Sequence, residues 1–496
     1  MRKNAFFIFM LWSVSIGFVA AQNVTDVVRY SSFRPGGTAR VLGVGGSFGA
    51  MGGDYGIINI NPAGLGEYKK SEFMFTPSLN LTNTQASLVA DPTRRSDLSS
   101  SRFGIDNIAL VISSEPSSSR LNYSNFAIGY SRIADLNRTF EYRGVSQGSI
   151  TERFVERANG LTEDELDEWE AYPAYVSGAI FGDPNFPNQY FSDFVPTDFV
   201  DKQQTVSQRG SVSEINFAWA GNLDQKLNFG ISMGIPIVSF SETKVYTELD
   251  PQDEIPIFNR LEYTEVLNTS GTGFNFKAGF IYNANRIFRF GASIHSPTWF
   301  RLSDDYFTNI EYDFTLDNGP ERGRYESDPG FFRYKLNTPW RFVGSVGSIF
   351  ELGALKGFVN ADLEWLDYTS SSLDFTAFSS DPSEIRFTNE ANNEIRQQLD
   401  RAAILRLGTE LAYEKIRFRL GWERGHSPYR GETVSSHAYG FGFGIREDLF
   451  FIDFGVRIRS LAEGFNAYSV LDSDRNPLVN VENNRTNILI TTGFKF

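Results

Sequence analysis

Leu227-Asn-Phe-Gly-Ile-Ser-Met-Gly-Ile-Pro-Ile237 places Leu227, Phe229, Ile231, Met233, Ile235 and Ile237 on one phase, with Asn228, Gly230, Ser232 and Gly234 between them. Successive side chains of a strand point to opposite faces, so this segment has one apolar face and one small, polar face. The pattern recurs at Phe73, Phe75, Leu79 and Leu81 against Glu72, Thr76 and Asn80, and at Phe274, Phe276 and Phe280 against Asn275, Lys277 and Gly279. It continues at Phe288, Phe290 and Ile294 against Arg289, Ser293 and His295. Tyr439, Phe441, Phe443 and Ile445 alternate with Gly440, Gly442 and Arg446, and Ile452, Phe454, Val456 and Ile458 with Asp453, Arg457 and Arg459.

A soluble β-sandwich also alternates, but its strands average about 5 to 6 residues. Here the segments reach about ten or more, the length that crosses an apolar band at a tilt near 45°. The apolar phase is dominated by aromatics: 46 of the 496 residues are Phe and 15% are aromatic. The chain stops on Asn487-Ile-Leu-Ile-Thr-Thr-Gly-Phe-Lys-Phe496, with Ile488, Ile490, Phe494 and Phe496 in phase. A terminal strand ending in Phe resembles the signal read by the outer-membrane barrel assembly machinery. Lipid cannot satisfy an open backbone edge, so strands of this kind must close into a barrel. The expected fold is an all-β transmembrane antiparallel barrel of 14 to 16 strands.

The ends and loops follow. Arg2 and Lys3 precede an apolar run from Ala5 to Val19 and the small residues Ala20 and Ala21, so residues 1–21 read as a secretory signal peptide. Cysteine is absent, which excludes a lipidated cysteine, a disulfide framework and a thiolate metal site. The net charge of −14 becomes −16 once Arg2 and Lys3 are removed, and it disfavours nucleic acid as a partner. Short connectors at Gly221 to Gln225 and Asn283 to Arg286 read as periplasmic turns. Long outer loops are expected at 148–210, 241–270, 303–337 and 370–401. The first of these contains Thr162-Glu-Asp-Glu165, a capping box that predicts a short helix ended by Pro173.

Residues 36–66 hold 11 glycines and close on Asn59-Ile-Asn61-Pro62-Ala63-Gly64-Leu65-Gly66. A phosphate loop is excluded, because Phe48 stands where the last glycine of G-x-G-x-x-G belongs and no Gly-Lys-Ser/Thr follows. A glycine-dense segment with no strand pattern before the barrel reads as a plug, 22–70, folded inside the lumen of a barrel, 71–496.

With these residues in hand, the sequence resembles the FadL family of outer-membrane transporters for long-chain fatty acids and other hydrophobic compounds. The resemblance rests on Thr38-Ala39-Arg40 to Gly53 with Asn61-Pro62-Ala63-Gly64, on Thr338-Pro339-Trp340, and on Ala361-Asp362-Leu363-Glu364-Trp365-Leu366-Asp367-Tyr368. It rests also on Leu405-Arg-Leu-Gly-Thr-Glu410, Phe418-Arg-Leu-Gly-Trp422 and Ser427-Pro428, in the family's order over most of the chain. It implies a 14-stranded barrel with an N-terminal hatch, and passive uptake in which the ligand leaves sideways through the wall. Asn59 and Asn61 would then fix the hatch by hydrogen bonds, with Pro62, Ala63 and Gly64 turning the chain into the first strand. The chain departs from the family in the long acidic segment 148–210, where Phe181, Phe186, Tyr190, Phe191 and Phe194 offer a surface for capturing apolar ligand.

Catalysis is disfavoured. His426 and Ser427 are adjacent, which on a strand points their side chains apart. Neither a cofactor nor a metal site is expected, although His426 and His437, 11 residues apart across a loop, keep a haem receptor as a minor alternative. Two function classes remain: a channel in the outer membrane for hydrophobic small molecules, and a non-transporting barrel subunit bound to other outer-membrane proteins.

Overall fold

The alternating segments pair into a closed wall. The computed structural model describes residues 20–33, 37–117, 120–378, 381–432 and 435–496. The proposed signal peptide falls, except for its last two residues, outside them. Among the described residues fourteen antiparallel strands go round the barrel. They are β1 Glu72–Leu88, β2 Asp91–Ser114, β3 Leu121–Asp135 continued by Arg138–Gln147, β4 Phe199–Leu223, and β5 Leu227–Leu249. Next come β6 Phe258–Asn283, β7 Phe288–His295 continued by Trp299–Leu316, and β8 Gly330–Asn337 continued by Arg341–Leu352. The circuit ends with β9 Leu355–Asp367, β10 Arg401–Tyr413, β11 Ile416–His426, β12 Ser435–Arg446, β13 Phe450–Asn466 and β14 Leu478–Lys495. β14 pairs with β1 from Lys495↔Glu72 to Val479↔Leu88, which closes the ring.

Outward positions of the lower wall form an apolar belt. Ile231, Met233 and Ile237 of β5 and Phe441 and Phe443 of β12 all point away from the protein, Ile231 with 56% of its surface exposed. At the upper rim of the belt aromatic rings gather, Phe274 against Trp299 at 4.9 Å and Phe342 against Trp365 at 5.6 Å. Belts of this kind face lipid, with aromatics at the interface. The protein is an outer-membrane barrel.

Above the belt the strands run on, and three sequence-based loop boundaries need correction. Residues 241–270 are mostly strand, joined by a loop of only 250–257, and 303–337 is mostly β7, β8 and the short hairpin strand Gly319–Glu326 between them. The 148–210 loop stops at 198, where β4 begins. The reason is a change of solvent. In β5 the outward phase passes from Ile237 to Ser239, Ser241 and Thr243, while the inward phase turns apolar at Val238, Phe240 and Tyr246. Outside the membrane the wall faces water and packs on its own interior, so the apolar and polar faces exchange.

That interior is filled by two lids. Segment 148–198 carries α3 Thr151–Ala158 and α4 Ala171–Val176, whose Phe154, Ala171 and Ala174 pack with Tyr246, Phe258, Tyr263 and Tyr312 of the wall. The capping box is present, with Thr162 N–H donating to Glu165 Oε2 at 2.9 Å, but it starts only a single 3-10 turn, Glu163–Glu165. Pro173 lies within the first turn of α4 instead of ending a helix; there a missing N–H costs nothing. The second lid, α5 Pro382–Gln398, buries Ala391 and Ile395.

Candidate functional site

Residues 37–68 lie inside the lumen at the level of the belt, and the wall's small inward residues make room for them. α2, Ala39–Gly43, starts at Thr38, whose side chain accepts from Val41 N–H and donates to Asp54 at 2.7 Å. Two 3-10 segments follow, Tyr55–Asn59 and Pro62–Glu67, capped by Asp54 and Asn61. A Cβ on Gly421 would stand 2.1 Å from Gly45 N and Val44 C, and one on Gly230 would stand 2.5 Å from Pro62 O.

Inward charged and polar residues then fasten the plug to the wall. Arg40 donates twice to Glu410, at 2.9 and 2.8 Å. Phe48 N–H donates to Asp362 at 2.8 Å, Gly49 N–H also donates to that carboxylate, and Ser47 Oγ donates to Asn360 O at 2.9 Å. Lys277 Nζ donates to Asn59 Oδ1 at 2.8 Å and is ion-paired with buried Glu214. Asn61 Nδ2 donates to Gly49 O and Phe280 O, and its Oδ1 accepts from Ala63 N–H. Ser293 Oγ donates to Ile60 O at 2.6 Å, beside His295, which faces the lumen as its phase in the sequence requires. Asn125 Nδ2 donates to Leu65 O and Tyr68 O. The wall behind carries two runs of alternating charge: Arg341–Glu364–Arg406–Glu423–Arg457, and Glu410–Arg419–Asp453–Arg446 reaching Asp54. Hydrogen bonds to charged groups contribute about 1.5–3 kcal/mol each, so this is a firmly seated plug.

Above the plug the wall is interrupted between β2 and β3. β2 and β3 pair only from Ser114↔Ser124 to Asn107↔Ser131, whereas β2 pairs with β1 up to Asp91. Beyond Ser131 the β3 chain pairs with β4 alone, and its continuation turns inward, seating Phe140 and Tyr142 against Leu88, Val206, Val479 and Val481. The outer part of β2, residues 91–105, is therefore left with a free edge on this side. Phe103, 73% exposed, stands on the lip of the gap, level with Leu79 of the apolar belt. Arg102 donates to Asn137 across the gap, and Arg132 lies 3.7 Å from Asp106 at its base.

A cavity of about 50 Å³ borders the plug at Asn59, lined by residues of four regions: Tyr30 to Phe33, Asn59, Ile133 with Glu214, and Lys277, His295, Thr338 and Arg341 of the far wall. Above it, the helix α1, Ala20–Ser31, lies within the barrel under α5.

The residues singled out for ligand capture divide. Phe181 and Phe191 face each other in a two-stranded ribbon with Phe186 6.4 Å from Phe191, all three exposed at the outer tip. Tyr190 is buried with its hydroxyl on Leu161 O, and Phe194 meets Phe258 edge-to-face at 4.6 Å, so these two belong to the lid's core. His426 and His437 stand on neighbouring strands, one hydrogen-bonding to Ala403 O and the other to Ser435 Oγ. Among the described residues no group of three or more His, Asp or Glu is placed to hold a metal ion. Ser427 Oγ donates to Glu432.

A closed fourteen-stranded barrel with an apolar belt, a charged lumen, an N-terminal plug and an interrupted wall defines the plugged outer-membrane barrels of the FadL-like fold. Solved structures of that fold cover nearly the whole chain. The toluene transporter TbuX of Ralstonia pickettii matches with a TM-score of 0.52 at 15% identity, over 93% of this chain and 99% of its own. The toluene transporter TodX of Pseudomonas putida gives 0.54 at 11%, over 93% and 98%, and a Pseudomonas aeruginosa FadL homologue 0.53 at 11%, over 92% and 98%. No family model matches the sequence, and no curated protein matches it. At these identities the likeness is one of fold.

Proposed function

We propose that the protein is a passive channel of the outer membrane for hydrophobic small molecules, long-chain fatty acids among them. The observation that supports this reading most is the position of the gap: the β2–β3 ladder stops at Asn107↔Ser131, in the outer part of the belt and above the seated plug. An apolar molecule in the lumen is surrounded below by buried ions, and an exit through the gap returns it to lipid without its crossing them. Keeping each methylene out of water is worth about 0.8 kcal/mol, so the sideways path is strongly preferred by an acyl chain. The neighbours named as toluene transporters, and the FadL homologue, support the class of cargo but do not choose between fatty acids and aromatic hydrocarbons.

A second reading, a non-transporting subunit of an outer-membrane complex, is favoured by the cavity's small size, about 50 Å³ where ligand sites are about 300–1,000 Å³, and by the two packed lids. Uptake decides between them. Expressed in a host lacking its own channel of this kind, the protein should raise the initial uptake rates of oleate or toluene several-fold; rates at the level of the empty vector for both, with the barrel assembled, favour the subunit.

A further inference from the structure

The N-terminal helix is held differently from the plug that follows it. α1 buries Val24 and Val27 and places Tyr30 against Phe240, inside a ring of inward apolar residues that includes Phe300, Leu302, Leu336 and Leu366. Its polar links to the wall lie on one side: Arg29 lies 3.8 Å from Glu242 and 4.2 Å from the centre of the Phe240 ring, buried Asp26 faces Asp304, and Thr25 and Tyr30 set their hydroxyls toward Tyr429 and Thr269. The plug, in contrast, exchanges hydrogen bonds with the wall through Ala39, Arg40, Ser47, Phe48, Gly49, Asn59, Ile60 and Asn61.

The wall ligates the plug by charge but meets α1 mainly with Phe, Leu and Val, with Glu242, Lys244 and Asp304 gathered on the Asp26–Arg29 side, which suits an elongated, largely apolar occupant. Three positions tie that chamber to the gap: Ala134 is part of its lining, and Ile133 and Leu136, at the bend of β3, pack on the same cluster. Its lower end opens on the 50 Å³ cavity at Tyr30 to Phe33.

We infer that the chamber beneath α5 is a binding site for an elongated apolar molecule, and that α1 is an internal surrogate occupying it until cargo displaces the helix. The inference rests on the channel reading but is tested apart from it. If α1 and cargo compete for one space, the apparent affinity for cargo is reduced by the fraction of barrels in which the chamber is free. Removal of the helix removes that reduction.

The test uses the purified full-length barrel, a variant lacking residues 22–31, and the double variant Val24→Asp/Val27→Asp, which expels α1 without shortening the chain. The probe is the neutral fluorophore N-phenyl-1-naphthylamine, with oleate as competitor; heat-modifiable gel mobility establishes that each barrel is folded. Both variants should bind the probe at one site per barrel with affinity about tenfold or more above the parent, and oleate should displace it. Folded variants that bind no more tightly than the parent overturn the inference, making α1 a structural filler. Gain of binding in a protein that supports no uptake leaves the surrogate standing and removes the channel; uptake by the parent without gain of binding does the reverse.

Discussion

Gly421 has no side chain because the plug's backbone passes where its Cβ would stand, 2.1 Å from Gly45 N. Neither partner is the movable end of a side chain, so Gly421→Ala should unseat the plug while leaving the wall's strands paired. Swelling of proteoliposomes in small sugars should rise several-fold with unchanged β-sheet circular dichroism; swelling at the parent rate would show that the plug does not seal the lumen. Lys277 makes a second case. It and Glu214 are both buried and joined, and Lys277 also holds Asn59. Breaking a buried ion pair by removing one member costs about 3–5 kcal/mol, whereas replacing both with apolar groups is often neutral. Lys277→Met should therefore expose the amides of residues 55–68 to hydrogen exchange, and Lys277→Met/Glu214→Leu should restore much of their protection. Equal exchange in parent and single variant contradicts the assigned role. Asn59 and Asn61 stood out in the sequence beside Pro62, but Lys277, Glu214 and Asp362 did not: an inward polar residue on a strand is ordinary, and only the fold reveals which ones meet the plug.

Among the elements, the lid over residues 148–198 is tied within itself by the buried carboxylate of Glu170. Glu170 pairs with Arg153, which donates to its Oε2 at 2.7 Å, and with Arg157 at 2.9 Å. Burial pushes the Glu170 carboxyl up, but the two guanidiniums outweigh it and hold it below the usual value of 4.5. A carboxylate with a lowered folded-state pKa gives stability that is complete above the unfolded value and is lost as the pH falls through the folded one. The lid should thus resist pepsin at pH 5 and be cleaved within 148–198 near pH 3, and Glu170→Gln should be cleaved already at pH 5. A lid equally resistant at both pH values, in parent and variant, contradicts this account. The lid's capping box was legible in the sequence; its helices were not, because α3 and α4 are short and gain their order from Tyr246, Tyr263 and Tyr312 of distant strands.

For the molecule as a whole, the alternation of Leu227 to Ile237 announces the barrel, since lipid outside and ions inside impose a period of two. The same rule hides the outer third of the strands. In β6 the outward residues pass from Phe276 and Phe274 to Thr272, Ser270 and Asn268, while the inward ones pass from Lys277 and Asn275 to Leu267, Tyr263 and Leu261. A reading that seeks apolar residues on the outer phase ends the strand where the membrane ends. The gap was legible only as an implication of the resemblance, because nothing in the composition of β3 marks the bend after Asp135.

The central claim, sideways exit through that gap, can be tested by closing it. The chain has no cysteine, so Arg102→Cys and Asn137→Cys, across the gap from each other, provide one addressable pair. Bridging them with a flexible, reducible dithiol reagent in cells should abolish uptake of a fatty acid or hydrocarbon, and reductant should restore it. Full uptake by a barrel bridged at every copy would contradict the account.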